Sequence, residues 1–118
     1  MPSGAEHEER AAVWLQAQGW QLLARNFHCR MGELDLVALD GTCVVFIEVR
    51  ARSHPGYGGA AASVGKRKQQ RLRLAAASFL RRHPQYASHP CRFDVLAWEP
   101  RQFAADAAPR WIRSAFAA

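Results

Sequence analysis

Residues 34–51 constrain the fold of this chain more than any other stretch. They read L-D-L-V-A-L-D-G-T-C-V-V-F-I-E-V-R-A. Two runs rich in β-branched and large apolar residues flank Asp40-Gly41, the strongest short-range signal for a tight hairpin. Residues 34–39 and 42–51 are therefore expected to form antiparallel strands. A two-residue loop at Asp40-Gly41 pairs Leu39 with Thr42. Continuing outward, Val37 opposes Val44, Asp35 opposes Phe46 and Glu33 opposes Glu48. Opposed residues share a face and side chains alternate with a period of two, so Glu33, Asp35, Glu48 and Arg50 project from one side. Asp35 and Glu48 become diagonal neighbours, with Cα atoms ~7–8 Å apart.

The flanking sequence supplies the rest of a layered domain. Residues 5–18 read as a helix with Ala11, Ala12 and Leu15 in one stripe, Trp14 on its flank and Gly19 as its stop. Residues 20–29 read as a strand. Residues 54–59 are rich in Gly and Pro and read as a loop. Residues 63–82 read as a second helix, with Leu72, Ala75, Ala76, Phe79 and Leu80 at helical spacing and His83-Pro84 ending it. Residues 92–98 read as a strand, 100–109 as a loop, and 111–116 as a short element of open type. The order α-β-β-β-α-β predicts an α/β fold, a mixed central sheet flanked by helices. With 118 residues the chain is expected to form one domain, with a core over 4–98 and a C-terminal extension over 99–118.

The carboxylates of the hairpin continue a face that also carries Val37, Val44 and Phe46. Charge on such a face is costly unless it is paired or binds metal, and two like charges are costlier still. Mg²⁺, a hard ion that takes oxygen ligands, would relieve the repulsion. The alternative is that the strand ends emerge into solvent. Glu8 lies on the helical wheel between Leu15 and Ala12 and aims at the sheet, although an acid in a first turn is also favoured by the helix dipole. On the second helix, Lys68 and Arg71 sit at the edge of the apolar stripe, where they can lean over the strand ends. Lys66, Arg67 and Arg73 point outward as a solvated basic face.

Charge is unevenly spread. The net charge is +6, and ten of the sixteen basic residues lie between Glu48 and Asp94, a span with no acid. A basic half beside an acidic half suggests a polyanionic partner, nucleic acid first. No apolar run spans a bilayer, so no membrane partner is expected. The start of the chain lacks the basic and apolar segments of a secretion signal, so the expected location is cytoplasmic. Cys29, Cys43 and Cys91 have no CxxC spacing, which argues against structural zinc and for small buried residues.

The pattern G-E-L-D-L-V (32–37), V-F-I-E-V-R-A-R (45–52), a helix carrying Lys68, and R-F-D-V (92–95) resembles the YraN family of small bacterial proteins. Gly4…Glu8-x-x-Ala11 and Leu22-x-x-Arg25-Asn26 fit it too. The resemblance implies a restriction-endonuclease-like fold of the PD-(D/E)xK superfamily, similar to archaeal Holliday-junction resolvases. It implies Asp35 as the motif aspartate, Glu48 as the acid of (D/E)xK, and Glu8 as the helix-one glutamate, the three holding Mg²⁺ or Mn²⁺. Lys68 matches a basic position on the second helix. Arg50 stands where the superfamily has lysine. Arginine keeps its proton and cannot act as a base, although it can still donate hydrogen bonds to a phosphate.

Two functions follow as expectations. One is a metal-dependent endonuclease in which metal-activated water hydrolyses a phosphodiester. There Arg50 and Lys68 would stabilise the transition state, Glu33 would serve as an outer group, and Arg52, Lys66, Arg67, Lys68 and Arg71 would grip nucleic acid, DNA ahead of RNA. Tyr57 and the glycine-rich loop would clamp the substrate. The other is a non-catalytic nucleic-acid-binding or interaction module on the same fold. Likeness to resolvases also brings in a homodimer, because branched substrates are symmetric.

Overall fold

The structure is a computed structural model and describes residues 4–51, 64–98 and 109–118. The elements run α1 (Gly4–Ala17), β1 (Gln21–Cys29), β2 (Gly32–Asp40), β3 (Cys43–Ala51), α2 (Lys66–Arg82), a 3-10 turn (Pro84–Tyr86), β4 (Cys91–Trp98) and β5 (Arg110–Phe116). The α/β class and the expected element order therefore hold, and the last element is a strand. The predicted loop at 54–59 and the predicted loop at 100–109 except residue 109, with Tyr57 and Arg52, lie outside the described residues.

Five strands form one sheet in chain order, β1-β2-β3-β4-β5. Every neighbouring pair is antiparallel except β3 and β4, which run parallel because α2 crosses over between them. Two helices cover two faces. On one, Ala11, Ala12 and Leu15 of α1 pack with Trp20, Leu36, Ala38, Val45, Ile47, Leu96 and Trp98. On the other, Leu72, Ala75, Ala76 and Phe79 of α2 pack with Leu34, Val37, Val44, Phe46 and Phe93. Alternate residues of β3 serve opposite cores, as the period of two requires. Phe79 anchors the second core, edge-on to Phe27 and Phe46 at centroid distances of 5.4 and 6.0 Å. The three cysteines are free and half-buried, more open than expected.

The hairpin register differs from the expected one. Asp40 pairs with Cys43, Leu39 with Val44 and Val37 with Phe46, so the loop is Gly41-Thr42. Gly41 has φ +60° while neither Asp40 nor Thr42 has positive φ. A single left-handed residue at the first loop position suits a type II′ turn, whereas an Asp40-Gly41 loop of type I′ would need two. The register slips by two residues, so the side chains from Leu36 to Asp40 keep their faces and change their partners. Continued outward, it sets Asp35 across from Glu48 instead of Phe46, and Glu33 no longer faces Glu48. Nothing lies within 4 Å of a Cβ placed at Gly41. Gly41→Val is therefore expected to cost ~1–2 kcal/mol through backbone conformation alone, read as a lower urea midpoint with an unchanged slope.

Alternation breaks at Asp35. Leu34 packs in the α2 core and Leu36 in the α1 core, although they are two residues apart. Arg25 pairs with Leu36 and Phe27 with Leu34 across β1, which brings Asn26 opposite Asp35. Asn26 has φ +51°, the left-handed conformation that asparagine tolerates better than most residues. Arg25 accordingly reaches Glu9 of α1 at 2.7 Å, while Phe27 turns to Phe79 of α2. Both strands thus twist over at the same level, and Asp35 sits at the crossover.

Candidate functional site

The break positions a carboxylate pair. Beyond the Leu36–Ile47 pair, the Val49 N–H donates to Asp35 Oδ2 at 2.9 Å. Asp35 therefore takes the place of a ladder acceptor, which fixes one of its oxygens. Glu48 is 4% exposed. Burial raises its pKa from an ordinary 4.5 to about 8, helped by a hydrogen bond to Asp35 and by that residue's negative charge. Lys68 and Arg50 oppose the rise. Both sit on one oxygen, Glu48 Oε2, with Arg50 Nε at 3.2 Å and Lys68 Nζ at 3.4 Å. The buried Arg50 Nε makes no hydrogen bond, so its contact with Glu48 is one of distance and charge without bond geometry.

Glu8 approaches from α1. It is half-buried, and burial raises its pKa first, followed by the charges of Asp35 and Glu33. Arg25 and a hydrogen bond with Asn26 pull it back down. Asn26 is the residue that sequence reasoning missed. Its signal is an asparagine inside a predicted strand, where its β propensity is poor. Glu33 instead pairs with His28 at 3.0 Å on the β1 side.

Of the expected site residues, Asp35, Glu48, Arg50 and Lys68 come together. Glu8 is near enough to feel Asp35 electrostatically. Among the described residues, no group of three or more His, Cys, Asp or Glu side chains could hold a metal ion as placed. Asp35 and Glu48 are nonetheless two neighbouring oxygen donors, one half-buried and one buried, and Mg²⁺ is commonly held by one or two carboxylates with water and phosphate filling the rest.

The basic face divides into two groups. Lys66, Arg67 and Arg71 are exposed around the N-terminal turns of α2. Arg73, expected to point outward, instead donates from Nε to the Ala117 carbonyl at 2.9 Å and lies over Phe116. The start of α2 has no acidic residue in its first turn and no side-chain cap. Three cations at the positive end of a helix dipole, Lys66, Arg67 and Lys68, are unfavourable unless an anion arrives.

A second buried charge network lies across the sheet. Asp94 is 1% exposed. It accepts from Arg92 Nε at 3.1 and 3.2 Å, from Trp111 Nε1 at 2.7 Å and from the Ser114 N–H at 2.9 Å. Arg92 also reaches Asp40 at 3.0 Å and stacks near Trp20 and Trp111. Both Asp94 oxygens are satisfied, so this network holds β5 to β4 and leaves Asp94 no free acceptor for chemistry.

No helix among the described residues is long and apolar enough to cross a membrane. Among known proteins, the chain is 53% identical over 114 residues to a UPF0102 protein of Alcanivorax borkumensis, covering 97% of this chain and 90% of that protein. It is 53% identical to one of Halorhodospira halophila (96% and 85% covered) and 51% identical to one of Pseudomonas putida (97% and 92% covered). The model of the uncharacterised protein family UPF0102 matches residues 7–98. The chain belongs to that family, which is the YraN family of the sequence resemblance.

Proposed function

We propose that this chain is a metal-dependent nuclease-fold protein that hydrolyses phosphodiester bonds in nucleic acid, DNA ahead of RNA. The observation that carries the proposal is the buried Glu48 carboxyl against Asp35, flanked by Arg50 and Lys68. Near-contact carboxylates, one of them buried, repel once both are ionised, so above the raised Glu48 pKa the pair favours a compensating cation. Asp35 and Glu48 would hold Mg²⁺ or Mn²⁺, with Glu8 as a further acid beside them. Such an ion supplies Lewis acidity toward phosphate oxygens and lowers the pKa of water.

The chain's own residues do the rest. The Val49 N–H orients Asp35. Arg50 cannot accept a proton, but its guanidinium, on a side chain 30% exposed, can donate to a phosphate oxygen. Lys68 adds a second positive charge beside the same place. Lys66, Arg67 and Arg71 offer backbone phosphates an exposed basic surface at an uncapped helix start, where anions are favoured.

The test incubates the protein with branched, single-stranded and duplex DNA and with RNA in Mg²⁺ or Mn²⁺. Cleavage is expected, and it is expected to fall by on the order of a hundredfold or more in Asp35→Ala and Glu48→Ala, the scale of losing a principal electrostatic group. A second reading is favoured by Arg50 itself: a nucleic-acid-binding module that does not cleave. Its mark would be salt-sensitive binding without cleavage, unchanged in Glu48→Ala. Absence of both binding and cleavage on every substrate would remove the two readings together.

A further inference from the structure

We propose that Lys68 is the resident counter-cation of the carboxylate pair, occupying the place of a divalent ion and leaving it when that ion arrives. The proposal rests on the pair being a cation site. Once Glu48 is ionised, two carboxylates in contact need a nearby positive charge, and the described residues provide two, both on Glu48 Oε2. They are not equivalent. Arg50 belongs to β3, the strand of Glu48 itself, and touches Oε2 without hydrogen-bond geometry. Lys68 comes from α2, with a side chain about one-third exposed at 34% and a flexible stem free to swing outward. An ammonium and a divalent cation compete for the same oxygen, because both are hard, compact positive charges. Displaced from Glu48, the ammonium stays at the start of α2, where a phosphate would meet it. Lys68 would thus exchange one anion for another as the site loads.

The chain contains two lysines, Lys66 and Lys68. Lys66 is exposed, so it serves as an internal standard. Acetylation of the wild-type protein at pH 8 by a limiting amine-reactive ester, followed by mass spectrometry, reads both amines at once. Without metal, Lys68 is expected to react more slowly than Lys66. Saturating Mn²⁺ is expected to raise Lys68 labelling several-fold and leave Lys66 unchanged.

Calorimetric titration with Mn²⁺ alone gives a second readout. Lys68→Met is expected to bind Mn²⁺ about threefold to fivefold more tightly than wild type, the scale of a half-exposed ion pair, and Lys66→Met to bind it as wild type does. Mn²⁺ binding with unchanged Lys68 labelling and unchanged affinity in Lys68→Met overturns this inference and leaves the metal site standing. Failure of wild type to bind Mn²⁺ overturns both.

Discussion

Asp94→Ala is expected to cost ~3–5 kcal/mol, the range for breaking a buried ion pair from one side. The carboxylate is almost wholly enclosed and accepts from Arg92, Trp111 and Ser114. Its removal strands the buried Arg92 Nε and takes a charged acceptor from the Trp111 indole N–H and the Ser114 amide, which belong to exposed residues. Arg92 keeps Asp40, so part of its charge remains balanced. Trp111→Phe removes one hydrogen bond to a charged group and is expected to cost ~1.5–3 kcal/mol. Urea denaturation followed by tryptophan fluorescence checks both, because Trp14, Trp20 and Trp111 lie edge to edge within 5.1–6.0 Å. If Asp94→Ala unfolds at the wild-type midpoint, the network does not hold β5 in place.

In the absence of divalent metal, stability is expected to fall as pH rises from about 5 to about 8.5, and Glu48→Gln is expected to flatten that fall. The Glu48 carboxyl has its pKa raised from 4.5 to about 8. Between those values the folded chain holds a proton that the unfolded chain has released. The stability this provides is complete below the unfolded value and is lost as pH climbs through the folded one. The loss amounts to several kcal/mol at most, since one pKa unit is worth about 1.4 kcal/mol. His7 acts in the opposite sense: burial and the Arg10 charge lower its pKa, so its contribution is lost as pH falls. Comparing wild type with Glu48→Gln cancels that background. The measurement is the urea midpoint of each at pH 5, 6.5 and 8.5 in chelator. Parallel curves would mean that Glu48 does not carry the proton. At pH 8.5 added Mn²⁺ is expected to restore the wild-type midpoint, because a ligand that binds only the folded state stabilises it.

The sequence made the layers legible because their signals are local. The Leu72–Phe79 spacing marks α2, and the run around Val44 to Ile47 marks a strand buried on both faces. The carboxylate pair was legible although its register was wrong. A slip of two residues preserves faces, so Asp35 and Glu48 were placed on the correct side with the wrong partners. The Gly41 turn type decides that register, and a single glycine beside both Asp40 and Thr42 permits either loop. The break at Asn26 and Asp35 was hidden because strict alternation puts Leu34 and Leu36 together. Only the three-dimensional competition between two helices for apolar partners separates them. Asp94 was visible as part of a motif but silent about its role, because its partners lie in β5, whose type the sequence left open.

The crossover at Asp35 has a consequence for how the two halves of the molecule communicate. A β-sheet ordinarily acts as a partition: what packs above it is insulated from what packs below. Here Glu8 reaches the acidic site from the α1 side and Lys68 reaches it from the α2 side. Alternation is interrupted at Asp35, and the carboxylates stand at that break. A shift of α1 therefore acts on Asp35 through the Glu8 charge, and a shift of α2 acts on the neighbouring Glu48 through Lys68.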